Sequence, residues 1–456
     1  MKTDCQLDYA AILAGRAEVV HLALSFTADS QPGGRATPFA FGIVLDHSGS
    51  MTGPPLEHAK AAARLCLQHL RDDDLFSLVV FSNSARTVIP LQRPVDRNKL
   101  ATLIAEITPA SSTNLTAGWM LGRDELAKAP ADLPRKLFLL TDGQLNMGIV
   151  DPVQVTQIVG RGLEIERIRT SCLGFGDNYT EDLLDKLATA SSGALHDAAS
   201  PEKFPAIFRQ ELEALLALSV QNLRVRVRRL HYCSGCMLLS DYPVVLLPEG
   251  GIEIMVGDLV SAEKRVVVLA LEVLPIPAQP DGAPTASLDG EALLDLEFAF
   301  DEMRAEGLVS STTQRTVSVL ATQRAEDIRV NEEVVAWVAT QQVGRAISAS
   351  IDERDRGEID AVKRRIAELR AHLERYGSAE AVQKALQNLA DFEAALVNWD
   401  PRMRKLSRLS SSRSRKSSSY YEDEERIRAE IEAEELRRQQ NNPPPPADPD
   451  APPPTA

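Results

Sequence analysis

Cysteine, histidine and aromatic residues are scarce in this chain, and long apolar runs are missing. Five cysteines in 456 residues are an odd number spread thinly. They are too few for the disulfide frameworks of small secreted domains, and agree with a reducing compartment. His58, His69, His196 and His231 lie scattered and read as structural or surface residues. No stretch approaches the roughly 18 consecutive apolar residues of a membrane span. The first segment, "MKTDCQLDYAAILAGRAEVVHLALSF", carries charges throughout and has no apolar core followed by a small-residue cleavage site. Excess positive charge is also lacking: the formal net charge is −15, which would repel phosphate backbones and anionic lipid. The sequence therefore predicts a cytoplasmic protein without membrane insertion that is not a nucleic-acid binder.

The chain does have apolar content in quantity, at 44% hydrophobic residues. At roughly 150 residues per domain this suggests about three parts. Residues 1–36 form an N-terminal segment in which "EVVHLALSFTA" (Glu18–Ala28) alternates as a half-buried strand. From 37 to 218, the apolar runs "FAFGIVLD", "LFSLVVFS", "KLFLLTDG" and "RIRTSCLGFG" alternate with segments of helical period. These are Leu56–Leu70, Arg97–Ile107, Leu115–Ala127, Pro152–Gly162, Thr180–Ala190 and Pro201–Leu218. That pattern predicts a doubly wound α/β domain with a mostly parallel sheet covered on both faces. Residues 219–325 read as successive strands of an antiparallel β-sandwich. The strand Glu18–Ala28 is expected to join it, making the α/β domain an insertion.

Residues 326–400 return to helical spacing. Ile359, Val362, Ile366, Leu369 and Leu373 form one stripe, and Val382, Leu386, Leu389, Phe392 and Leu396 another. Aliphatic stripes of this kind are core before they are partner grooves. Gly377-Ser378 reads as a C-cap followed by an N-cap. Residues 401–456 combine "RKLSRLSSSRSRKSSS", a charged run and a proline-rich end. This composition predicts a disordered tail, with the Arg/Ser stretch as a solvated linker rather than an RNA-binding segment.

In an open parallel sheet the ligand site lies at the carboxyl ends of the strands. Three loops expected there carry oxygen groups: Asp46, Ser48 and Ser50 in "LDHSGSM", Thr113 in "SSTN", and Asp142 in "LLTDG". Residues at i, i+2 and i+4 of extended backbone point to one side, so Asp46, Ser48 and Ser50 converge while His47 points away and Gly49 permits the turn. An all-oxygen set suits a hard cation, Mg²⁺ first with Mn²⁺ or Ca²⁺ as alternatives, whereas zinc takes histidine or thiolate. Because hydroxyls outnumber carboxylates, a bound cation would retain charge with which to attract an Asp or Glu from a partner protein.

Competing chemistries fit less well. Aspartyl phosphotransfer would need a second acid two residues after Asp46, and Ser48 or Ser50 with His47 would need adjacent side chains to point together. Cys233-Ser-Gly-Cys236 has redox or metal-knuckle spacing but no second pair, and reads as a plain hairpin.

The set Asp46-x-Ser48-x-Ser50, Thr113 and Asp142 resembles the metal-ion-dependent adhesion site of von Willebrand factor type A (vWA) domains, over about Phe39 to Leu218. The whole chain resembles a bacterial group that joins such a domain to a sandwich and C-terminal helices, labelled by analogy with calcium-activated chloride channel proteins. The resemblance implies metal ligation by the serines and Thr113, with the aspartates binding directly or through water. It also implies metal-dependent protein recognition, in some relatives beside an AAA+ ATPase; the sequence offers no candidate substrate pocket, and no enzyme activity is expected. The expected role is an intracellular scaffold or adaptor, and the alternative an envelope-associated adhesion or channel-accessory protein. The loop "ASSTNLTAG" departs from relatives that carry glycines before the threonine, so Ser111 and Ser112 are expected to stiffen or reshape it. Thr116 lies beyond the expected helix start, which favours Thr113 as the ligand.

Overall fold

The computed structural model describes residues 1–30, 38–141, 147–175, 179–198, 200–248, 250–277, 290–304, 307–374, 376 and 380–416. Asp142, Gly377, Ser378 and the tail 417–456 lie outside the described residues.

The chain opens with three strands, β1 (Lys2–Leu7), β2 (Ala11–Leu13) and β3 (Glu18–Thr27). The α/β domain follows: β4 (Ala40–Asp46), α1 (Pro54–His69), β5 (Leu75–Phe81), β6 (Ala85–Gln92), α2 (Arg97–Ala105), α3 (Leu115–Leu126), β7 (Arg135–Thr141), α4 (Pro152–Glu166), β8 (Ile168–Phe175), α5 (Glu181–Ala190), β9 (Leu195–Ala198) and α6 (Phe204–Leu216). Its six-stranded sheet has the order β6-β5-β4-β7-β8-β9, parallel except for the β5–β6 pair. β4 therefore lies inside the sheet, not at its edge. All seven of its residues are buried: Phe41, Ile43 and Leu45 pack among residues of α1, α2 and α6, and Ala40 and Val44 on the other face among those of α3, α4 and α5. Burial on both faces explains why the strand reads as a continuous apolar run instead of an alternation.

After α6 the chain returns to β structure with β10 (Leu218–Arg229), β11 (Cys233–Leu238), β12 (Val244–Leu246), β13 (Ile252–Val260), β14 (Lys264–Val273), β15 (Glu291–Arg304) and β16 (Gly307–Thr322). They form two sheets, β1-β3-β14-β11 and β12-β13-β10-β15-β16-β2. β3 pairs antiparallel with β14 from Glu18 opposite Val273 to Thr27 opposite Lys264. The α/β domain is thus spliced between two strands of the sandwich. Val20, Leu22, Leu24 and Phe26 alternate into its core, where Phe26 meets Phe298 edge-on at 5.7 Å. The short β1 and β2, unforeseen in the sequence, complete the sheets. β10 and β11 belong to different sheets, so Cys233 and Cys236 follow a sheet-to-sheet corner and not a plain hairpin.

Three helices, α7 (Glu332–Asp355), α8 (Ile359–Glu374) and α9 (Glu380–Ala395), enclose one core containing Val362, Ile366, Leu373, Val382, Leu389 and Phe392. α7 also lays Val334 and Val338 against Ala23, Val266 and Val268 on the outer face of the β3–β14 pair.

The expectation of disorder from residue 401 fails over Pro401–Lys416, which is a helix, α10. It runs along α7 and α5 and buries Met403, Leu406 and Leu409. Its cations meet carboxylates from every neighbouring unit: Arg402 pairs with Asp197 at 2.5 Å, Arg404 with Asp182 and Asp355 at 2.5 Å each, Arg408 with Asp352 at 2.5 Å, and Arg415 with Asp241 at 2.8 Å. The Arg/Ser pattern that reads locally as solvated is matched by acids 49 to 222 residues away, and local composition carries no trace of such pairing.

Candidate metal centre

β4 ends at Asp46, whose carboxylate is fully buried. Its Oδ1 accepts the Ser48 N–H at 2.8 Å, closing a tight turn, and its Oδ2 accepts the Thr141 hydroxyl at 2.7 Å. Ser48 is buried and Ser50 exposed, and their Oγ atoms lie 3.1 Å apart. The turn continues into a short 3₁₀ segment, Gly49–Met51, that leads to α1.

His47 points elsewhere: its Nδ1 lies 2.8 Å from the Thr108 carbonyl. The alternation along the loop therefore separates the imidazole from both serines, and no Ser–His pairing of a hydrolase is set up.

Thr113 is buried one residue before Asn114, which caps α3 by accepting the Ala117 N–H. The loop carrying Thr113 is fastened on two sides. Ala110 N–H donates to the His47 carbonyl at 2.7 Å and Gly49 N–H to the Ser111 carbonyl at 3.2 Å, which joins it to the first loop. Asn83 Oδ1 accepts from Ser112 N–H at 2.9 Å and Ser111 Oγ at 3.2 Å, which joins it to the end of β5. Ser111 and Ser112 thus serve as stitches. The Thr116 hydroxyl is engaged by the Ile149 carbonyl at 2.9 Å, on the far side of α3's first turn.

Asp46, Ser48, Ser50 and the Thr113 loop are accordingly gathered at the carboxyl end of the sheet, while Asp142 follows directly on β7 and lies outside the described residues. Sequence reasoning passed over Thr141 and Asn83. Thr141 had a signal, since it ends the strand paired with β4; Asn83 had none. The donor types suit a hard cation. Octahedral Mg²⁺ with ligand distances of 2.0–2.1 Å sets neighbouring oxygens about 2.9 Å apart, and the Ser48–Ser50 separation of 3.1 Å is close to that edge.

The family model of the von Willebrand factor type A domain matches residues 42–210. Residues 42–210 are a vWA domain. Such domains are in general protein-interaction modules and typically bind a divalent cation. An uncharacterized protein of Synechocystis is 28% identical over 277 residues, 59% of this chain and 64% of that protein. The inter-alpha-trypsin inhibitor heavy chain H1 of Bos taurus is 28% identical over 171 residues, 34% of this chain and 19% of the heavy chain. The matched part is therefore less than two thirds of either relative. Among solved structures, a von Willebrand factor type A protein from Catenulispora acidiphila is similar with a TM-score of 0.68 at 18% identity, over 91% of this chain and 96% of that one. The ArnB paralog VWA2 from Sulfolobus acidocaldarius gives 0.56 at 15% identity, over 91% and 97%. At these identities the likeness shows the fold alone: a vWA-like parallel sheet, antiparallel sheets and C-terminal helices in one chain.

Other candidate chemistry loses ground. Burial pushes the Cys236 thiol up to about 12 and the Cys233 thiol up as well, so neither favours the thiolate that redox or metal chemistry requires. Among the described residues no helix is long and apolar enough to cross a membrane.

Proposed function

We propose that the chain is a non-enzymatic adaptor whose vWA domain holds a divalent cation, Mg²⁺ first, and uses it to bind an Asp or Glu of a partner protein. The observation that carries this reading is the 3.1 Å approach of the Ser48 and Ser50 hydroxyls above the buried Asp46. Ser48, Ser50 and Thr113 would supply neutral oxygens, with Asp46 and Asp142 bound directly or through water. Neutral ligands leave the cation's charge poorly offset, and a carboxylate from outside is the complementary group. When bound, the cation supplies an electrophilic docking point; Asp46, Thr141 and the stitched Thr113 loop hold its ligands in place.

The sandwich and helical unit then act as a scaffold presenting this end of the sheet, with an AAA+ ATPase system as one class of partner. The matching architecture of the Catenulispora protein over 91% of this chain supports placing the chain in the group that joins a vWA domain to a sandwich and helices. The cytoplasm is the proposed compartment.

Affinity capture from native lysate tests the reading. Wild type with Mg²⁺ should retain a partner that is lost with EDTA and lost from the Ser48→Ala, Ser50→Ala double variant. Identical captures under all three conditions would sink it.

A further inference from the structure

At the end of the vWA sheet opposite the metal centre, the amino ends of β7 and β8, the sandwich and the last turn of α10 enclose a cavity of about 60 Å³. That is room for at least several water-sized groups. Its lining is charged to an unusual degree for a domain junction. Arg135, Lys136, Arg169, Arg265 and Lys416 face three carboxylates, Asp241, Asp258 and Glu263. Counting also the ion-pair partners behind them, Glu211, Arg415 and Asp185, still leaves one positive charge over.

The unmet groups are donors. Arg169 is 7% exposed and pairs with Asp258, yet its Nε has no hydrogen-bond partner among the described residues. The Thr189 hydroxyl on the same lining also has none. Lys416 Nζ, with three N–H groups, donates to the Gly193 carbonyl at 2.7 Å, and burial pushes its ammonium pKa down. Arg135 spends its terminal nitrogens on the carbonyls of Glu166 at 2.8 Å and Ala129 at 2.6 Å, with the Glu166 and Asp132 carboxylates acting on it from nearby. A cavity with surplus positive charge and a lysine with N–H groups to spare is complementary to a small ligand that only accepts.

We propose that this junction is a binding site for a free tetrahedral oxyanion, phosphate or sulfate, which ties the vWA domain, the sandwich and α10 together. The site is independent of the metal centre and of the function proposed for it.

The test is calorimetric titration of the full chain with sodium phosphate or sodium sulfate, against sodium chloride at equal ionic strength, in EDTA so that no metal phosphate forms. One saturable site per chain is expected, with melting raised by roughly 3–6 °C near 100-fold saturation. Lys416→Met should weaken binding at least tenfold. Asp258→Asn, which removes a competing negative charge while keeping an acceptor for Arg169, should tighten it, an outcome that a purely structural role for Asp258 would not give. No saturable response beyond chloride overturns the proposal, as does unchanged affinity in Lys416→Met. If Lys416→Met does not fold, unchanged or weaker affinity in Asp258→Asn overturns it instead. Binding of ATP without binding of phosphate would assign the cavity to a phosphoryl group of a larger ligand and likewise overturn it.

Discussion

The Thr141 hydroxyl donates to Asp46 Oδ2 at 2.7 Å across 95 residues of sequence. The contact follows from register: β4 and β7 run parallel with Leu45 beside Leu140, so the residues that end them stand side by side. A hydroxyl that orients a metal-ligating carboxylate typically supports metal affinity by 10–100-fold. Thr141→Val keeps the shape and removes the donor. We expect Mn²⁺ affinity, measured by titration calorimetry, to fall by about tenfold or more. Affinity equal to wild type would mean that Thr141 does not position Asp46.

The serine pair predicts a separation of metal binding from stability. Ser50 is exposed, and the Ser48 side chain meets Ser50 Oγ, so the double change to alanine leaves the apolar core intact. Stability without metal should change by about 1 kcal/mol or less; Mg²⁺ should raise the melting temperature of wild type and leave that of the double variant unchanged. A Mg²⁺ response that survives in the double variant would place the cation elsewhere.

What was legible in the sequence had a local signature. β4, β5, β7 and β8 are buried on both faces and announce themselves as unbroken apolar runs, and the Asp46 loop could be read because its side chains alternate along one short segment. The expected helix start between Thr113 and Thr116 is where α3 begins, capped by Asn114. Asn83, by contrast, matters only because the end of β5 comes beside Ser111 and Ser112, and that proximity is tertiary. α10 is the largest misreading for the same reason. Its arginines are neutralised by Asp182, Asp197, Asp241, Asp352 and Asp355, residues of three separate units that the sequence gives no cause to group.

Close packing of α3 on β4 gives a prediction for Gly122. A Cβ there would stand 2.3 Å from Val44 Cγ2 and 3.0 Å from Leu137 Cδ1, and the branched valine has little freedom to yield. Alanine normally favours a helix over glycine by about 1 kcal/mol, but overpacking costs about 1–3 kcal/mol. Gly122→Ala should therefore lower the urea midpoint with an unchanged slope. A midpoint equal to or above wild type would show that β4 and α3 separate without cost.

The ionic attachment of α10 predicts salt sensitivity. Arg408 is buried between Asp182 at 2.7 Å and Asp352 at 2.5 Å, and Arg404 reaches Glu181, Asp182 and Asp355. Asp182 and Asp352 are about a third to a half exposed, so screening reduces each pair's contribution to about 1–2 kcal/mol. Arg404→Ala with Arg408→Ala should speed hydrogen exchange in residues 401–416, and 1 M salt should do the same to wild type. Exchange that is slow and salt-independent in both would mean that Met403, Leu406 and Leu409 hold the helix unaided.

Beneath the sheet, His196 Nε2 lies 2.5 Å from Glu211 Oε1, and Lys136 Nζ lies 2.5 Å from Oε2 of the same carboxylate. Burial pushes the imidazole pKa down more than Glu211 raises it, so the folded protein keeps His196 neutral and donating. Burial alone would raise the Glu211 pKa, but the Lys136 ammonium and the hydrogen bond from His196 outweigh it and hold the carboxyl well below its ordinary range. Both groups lose stability in acid, in different windows. Below about pH 6.5 the unfolded chain protonates His196 while the folded chain resists, so the unfolded state binds more protons and stability falls with pH. Glu211 contributes fully above about pH 4.3 and loses its contribution as pH falls toward its folded value. His196→Gln retains an N–H donor toward Glu211 and cannot titrate. Denaturant midpoints at pH 7.5, 6 and 5 should fall less steeply in this variant than in wild type, with the loss below about pH 4.3 unchanged. A slope between pH 7.5 and 5 identical to wild type would assign that titration to another group, because Glu211 is ionised throughout that range in both states.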